Sequence, residues 1–130
     1  MASILRVNTL TDASSNNSIA TSVIHSGTTK AWVIFTGTST VTNRGSYNVS
    51  SITDVGTGTY APNFTNNMGD TGYSSVVSGD MYGIVAAPSF NVGTTNRGYT
   101  TSSVQGNSVN PSGSVADAPA YQFSVNGDLA

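Results

Sequence analysis

Hydrophobic and polar positions alternate along the chain in short runs, the pattern of half-buried strands. Leu5 and Val7 alternate with Arg6 and Asn8, which predicts an opening strand over residues 3–9, and Ser18 to Ile24 reads as a second short strand. Lys30 to Thr36 is the clearest core strand, apolar on both faces, and its Trp32 and Phe35 are assigned to packing. Tyr47, Val49 and Ile52 suggest one strand with an irregular step. The turn signal Asp54-Val55-Gly56-Thr57-Gly58 leads into Tyr60 to Thr65, where large residues alternate. Together they read as one hairpin, with Pro62 placing its second strand near an edge or a bulge.

Asn66 to Gly72 is a loop, Tyr73 to Ser78 and Met81 to Ala87 are strands joined by Gly79-Asp80, and Gly98 to Val104 and Ala120 to Val125 complete the set. The longest stretch without a strand pattern, residues 105–119, is expected to be a surface loop. About eight to ten strands with frequent turn signals predict an all-β single domain, an antiparallel β-sandwich (jelly-roll-like) or a small barrel. Composition agrees. Val, Ile and Thr supply 38 residues against 12 from Leu, Met, Lys, Arg, Gln and Glu combined, and β-branched side chains fit pleated sheets better than helices.

Half of the 130 positions are Ser, Thr, Asn or Gly, Glu and Cys are absent, and the formal net charge is −2. Arg6, Lys30, Arg44 and Arg97 are scattered, whereas phosphate neutralisation needs clustered cations, so no nucleic-acid partner is expected. Without cysteine there is no disulfide, thiol nucleophile or thiolate zinc site, and one histidine, His25, leaves little for a metal. No cofactor is expected. The longest bulky apolar run, Ala31 to Phe35, is far shorter than the roughly 20 residues a spanning helix needs, so no membrane insertion is expected. The first 30 residues lack a signal-peptide apolar segment, so secretion by an ordinary signal is not expected either. The N-x-S/T matches at Asn16, Asn48 and Asn63 are what so Ser/Thr/Asn-rich a chain produces by chance.

Candidate chemistry is sparse. No G-x-S-x-G spacing occurs around a nucleophile, and Asp54, Asp70, Asp80 and Asp128 each have a glycine within two positions, the signature of turns. The segment from Asp70 to Asp80 lacks calcium-loop spacing, and no catalytic residue is assigned. Tyr73, Tyr82, Tyr99 and Tyr121 join a flat apolar ring to a hydroxyl, which suits both subunit interfaces and sugar stacking. In Asn96-Arg97-Gly98-Tyr99, the side chains of Asn96, Arg97 and Tyr99 form the candidate receptor or partner contact.

Assembly is better motivated than catalysis. A chain of this length buries only about two thirds of its extended surface, and modest large-apolar content suggests that part of the stabilising burial lies between subunits. Ile4, Leu5 and Val7 form a candidate assembly strand, followed by the loop Thr11 to Asn17. Residues 1–17 therefore read as a separable arm, its strand added to a neighbour's sheet edge or docked within its own subunit.

From Lys30 to Met68 the chain resembles a module of bacteriophage virion proteins, especially the tail-fibre-type proteins of marine phages and cyanophages. Lys30-Ala31-Trp32-Val33, the string SYNVSSITD from Ser46 to Asp54, and Asn63-Phe64-Thr65 carry the resemblance, and Ser3 to Leu10 is similar to the short strand that opens many small fibre proteins. The match covers about half the chain, fades after Tyr73 and does not extend past Gly93. It implies a non-enzymatic virion component on the particle's outer surface, a homotrimer that contacts other virion proteins and a host cell-surface glycan or protein. A tail fibre or knob for host attachment is the leading expectation. A capsid cement or decoration protein is the alternative, and a polysaccharide-degrading enzyme the remote one.

Overall fold

A computed structural model of the chain describes residues 4, 6–80, 87–88, 98–110 and 112–130. The elements run β1 (Thr9–Thr11), β2 (Ser18–Ala20), α1 (Thr21–Gly27), β3 (Thr29–Thr36), β4 (Thr42–Tyr47), β5 (Val49–Gly56), β6 (Thr59–Phe64), β7 (Ser74–Gly79), β8 (Ala87–Pro88), β9 (Gly106–Asn107) and β10 (Tyr121–Asn126). Strand β3 turns Ala31, Val33 and Phe35 to one side, and β10 does the same with Tyr121, Phe123 and Val125; all six are buried. Such period-two alternation gives each strand one face to bury. The two pair antiparallel at the centre of a sheet ordered β4-β3-β10-β7. A second sheet is ordered β5-β6-β9-β8, and the chain passes between the two after β4, β6, β7 and β9. The fold is thus an all-β, antiparallel sandwich with two open sheets sharing one core.

Aromatic packing fills the core. Phe35 stacks on Tyr121 with centroids 5.1 Å apart and meets Tyr60 edge-on at 5.3 Å. The tyrosine hydroxyls are buried with partners: that of Tyr60 lies 2.6 Å from the Gly37 carbonyl and 2.8 Å from Asp117 Oδ1, and that of Tyr121 meets Ser108 Oγ. Burial pushes the Tyr73 hydroxyl up to about 12. Burial raises those of Tyr60 and Tyr121 as well, and for Tyr60 the neighbouring Asp117 carboxylate adds to it.

Tyr47 to Ile52, expected as one strand, is two strands in different sheets with Asn48 as the corner. Asn48 has φ of 54°, in the left-handed region that asparagine tolerates better than most residues. Its Oδ1 accepts from the Asn66 N–H at 2.7 Å, and its Nδ2 donates to the Lys30 and Asn66 carbonyls at 3.0 Å each. One side chain therefore ties β3, the corner and the chain beyond β6 together.

Other expectations shift as well. Among the described residues the opening strand is confined to Thr9–Thr11, opposite the three residues of β2; Ile4, Arg6 and Val7 lie outside it. Leu5 lies outside the described residues. The β1–β2 ladder ends at Ala20, and residues 21–27, partly assigned to a strand, form α1 and satisfy their own backbone groups. Residues 98–104 form a tight loop instead of a strand: Tyr99 bridges Val104, the Gln105 N–H donates to the Gly98 carbonyl, and Thr100 Oγ1 accepts from the Ser102 and Ser103 N–H groups. Pro62 sits in an interior strand, where β9 has ended and this loop takes over. The 105–119 segment is not simply surface, since it supplies β9 and buries Gly106, Ser108 and Ala118. Of the expected strand Met81 to Ala87, residues 81–86 lie outside the described residues, while Ala87 begins β8.

Candidate functional site

The strand alternation that buries Phe35 turns Trp32 and Ile34 outward. Register then sets Tyr47, Trp32, Ser124 and Val76 side by side in one row across all four strands, with Gly45, Ile34, Gln122 and Ser78 as the next row. Trp32 is 40% exposed, Tyr47 55% and Val76 66%. Opposite Ile34, Gly45 leaves the space its side chain would fill, and the Trp32 ring leans into it: Cζ3 and Cη2 stand 3.6 and 3.7 Å from where a Cβ would be. An aromatic ring resting on a strand glycine pins register and keeps the ring in place. Neither row contains a charge. The guanidinium of Arg44 on β4 is held by Thr36 Oγ1 and the Pro119 carbonyl, both at 2.9 Å. Covering the three exposed side chains would release roughly 1–2 kcal/mol each.

The second sheet presents a different outer surface. Asn63 Nδ2 donates to Ser51 Oγ at 3.0 Å and Thr53 Oγ1 at 2.9 Å, so hydroxyls and an amide form a preordered polar patch.

A third feature is the arm before β3. Among the described residues from 4 to 28 none is buried; Ile4, Val7, Leu10, Ile19 and Val23 are all exposed. A shallow concavity on α1 is lined by Ser22, Val23, Ser26 and Gly27. Two of the arm's titratable groups, Asp12 and His25, are engaged close by. Hydrogen bonds, chiefly from Asn17 Nδ2 at 2.8 Å, hold the exposed Asp12 carboxyl below its usual range, and His25 Nδ1 stands 3.0 Å from Asp128 Oδ1. The His25 carbonyl accepts from the buried Lys30 ammonium, which also donates to Thr28 Oγ1 at 2.7 Å.

The sequence-assigned contact falls mostly outside the described residues. Asn96 and Arg97 lie outside the described residues, and Tyr99 is a half-buried packing residue, its ring 5.1 Å from Tyr73 and its hydroxyl 2.9 Å from Ser75 Oγ. Trp32, assigned to packing, instead belongs to the exposed row. Asp54 and Asp70 do serve turns, accepting from the Gly56 and Gly72 N–H groups at 3.1 and 2.7 Å. Among the described residues no three His, Asp or Glu side chains gather into a metal-ligating group, and no helix is long and apolar enough to cross a membrane. No family model, curated protein or solved structure matches the chain.

Proposed function

We propose that the chain is an exposed structural module of a bacteriophage virion, a homotrimeric fibre or knob element that attaches to the host through many weak contacts. The observation that carries this reading is the unlikeness of the two outer sheet faces. The uncharged row of Tyr47, Trp32 and Val76 suits contact with protein. The patch of Ser51, Thr53 and Asn63 suits a hydrated surface that makes shallow hydrogen bonds to a cell-surface glycan or protein. The segment that resembles phage virion proteins, Lys30 to Met68, supplies β3 to β6, and so Trp32, Tyr47 and the whole polar patch. Each contact is weak alone; three copies per assembly and several assemblies per particle raise avidity by about 10²–10⁴ without any new contact. Few exposed charges also leave little for saline water to screen.

Quantitative mass spectrometry of purified virions carrying the chain tests this. A few to a few tens of copies per particle is the expected result. Several hundred would replace it with a capsid decoration role, and absence from particles would sink both.

A further inference from the structure

The dipeptide Asn-Gly occurs once in the chain, at Asn126-Gly127, where β10 ends. Packing requires the glycine: a Cβ on residue 127 would stand 2.5 Å from Tyr73 Cβ. Asn126 is the last residue of β10, opposite Thr29 and Ser74, and the ladder to β3 shifts register between it and Val125. Its Oδ1 is buried and has no hydrogen-bond partner among the described residues. Buried amide oxygens ordinarily accept a bond, as Asn48 Oδ1 does from the Asn66 N–H.

We propose that Asn126 is a modification site, converted without an enzyme to aspartate and isoaspartate. Hydroxide removes the proton of the Gly127 N–H, and the nitrogen attacks Asn126 Cγ. The new C–N bond closes a succinimide ring while the side-chain nitrogen leaves as ammonia. Water then opens the ring at either carbonyl: one product is aspartate, and in the other the backbone runs through the side-chain carbon. Three features place the reaction here. Gly127 brings no side chain against the approach, no donor to Oδ1 holds the amide in its rotamer, and the peptide that must turn is the first beyond β10. Asn107 also has a buried, unpartnered Oδ1, but the nitrogen that would attack it belongs to Ser108 and is tied, its N–H donating to the Gly58 carbonyl at 2.8 Å.

Conversion alters how the end of the chain is held. A carboxylate replaces the amide at a buried point without a donor, and isoaspartate lengthens the backbone where Gly127 already lies against Tyr73. Just beyond stand the ties of the last residues. The Gly69 N–H donates to the Asp128 carbonyl at 2.8 Å, the Ala130 N–H to the Asn67 carbonyl at 2.9 Å, and Asp128 Oδ1 meets His25 Nδ1 of the arm at 3.0 Å. The modification therefore loosens residues 127–130 and, through Asp128, their link to α1.

Prolonged incubation of the full chain at mildly alkaline pH, followed by peptide mapping with isoaspartate labelling, tests the site. Residue 126 should gain the mass of an amide turned acid ahead of every other asparagine, Asn107 included, at a rate that rises with pH. Earlier conversion elsewhere, or an intact Asn126 in the folded chain under conditions that convert the urea-unfolded one, overturns the proposal. The loosening has its own test. Asn126→Asp should lower the thermal midpoint by about 5 °C or more and speed amide exchange at Gly69 and Ala130. If that variant does not fold, the aged wild-type fraction, separated by its added charge, gives the same readout. Unchanged exchange refutes the loosening and leaves the modification site in place. Asn126→Ser, which cannot form the ring, should keep its exchange rates through the same incubation; if it ages as the wild type does, the loosening is likewise refuted.

Discussion

Replacing Asn48 by alanine is expected to lower the unfolding free energy by about 3 kcal/mol, a large loss for a half-buried polar side chain. The change removes three hydrogen bonds at once. The bond to the Lys30 carbonyl lies beside a side chain only 7% exposed and is worth about 1 kcal/mol, and the two to exposed Asn66, which water partly replaces, about 0.5 kcal/mol each. Alanine must also hold φ near 54°, where a Cβ without a local hydrogen bond costs about 1 kcal/mol. Asn48→Gly loses the same bonds but not the backbone preference, so it should cost about 1 kcal/mol less than alanine. Asn48→Asp keeps the acceptor for the Asn66 N–H but turns a carboxylate toward two carbonyls, and should cost at least as much as alanine. Urea unfolding followed by circular dichroism, with a common m value, gives the three differences. Alanine within about 0.5 kcal/mol of wild type, or glycine worse than alanine, would refute the account of the corner.

Alkali should unfold the protein. The Tyr73 hydroxyl ionises near 10 when unfolded and about 12 when folded, so its contribution, of order 2–3 kcal/mol, is complete below pH 10 and is lost as pH rises toward 12. Tyr60 and Tyr121 add in the same direction, so tyrosinate absorbance and loss of circular dichroism should rise together in that window; separate transitions would contradict this. Gly58→Ala places a Cβ 2.6–2.8 Å from Ala116 backbone atoms at a φ of 63°, and should lower the thermal midpoint by roughly 10 °C or more; an unchanged midpoint would mean that this contact yields. Tyr60→Phe should cost about 1–3 kcal/mol in chemical denaturation, because the Gly37 carbonyl loses its buried donor while Asp117 keeps the Gly58 N–H at 2.6 Å.

Periodicity made β3, β10 and the β5–β6 hairpin legible, because each alternates or ends on an unmistakable turn. It could not say which face is covered. Ala31, Val33 and Phe35 share one side of β3 and Trp32 and Ile34 the other, and only the neighbours decide; Gln122 and Ser124, polar in the same rows as Ile34 and Trp32, were the available sign that this side is the outer one. Asn48 was hidden for a related reason. Tyr47 and Val49 sit two apart, as if on one face of one strand, yet Tyr47 faces solvent and Val49 packs against the core because Asn48 carries the chain from one sheet into the other. The 105–119 segment escaped because its core residues are small. Gly106 leaves room for the Phe123 ring, whose Cζ stands 2.8 Å from where a Cβ would be, and Ser108 and Ala118 are fully buried around Tyr121 and the Gly37 loop. Counting large apolar residues therefore underrates this core, which Gly, Ser and Ala complete beneath tyrosine and phenylalanine rings. A thin core is then no argument for a partner. The large apolar side chains of the arm, Ile4, Val7, Leu10, Ile19 and Val23, all exposed among the described residues, are the better ground for one.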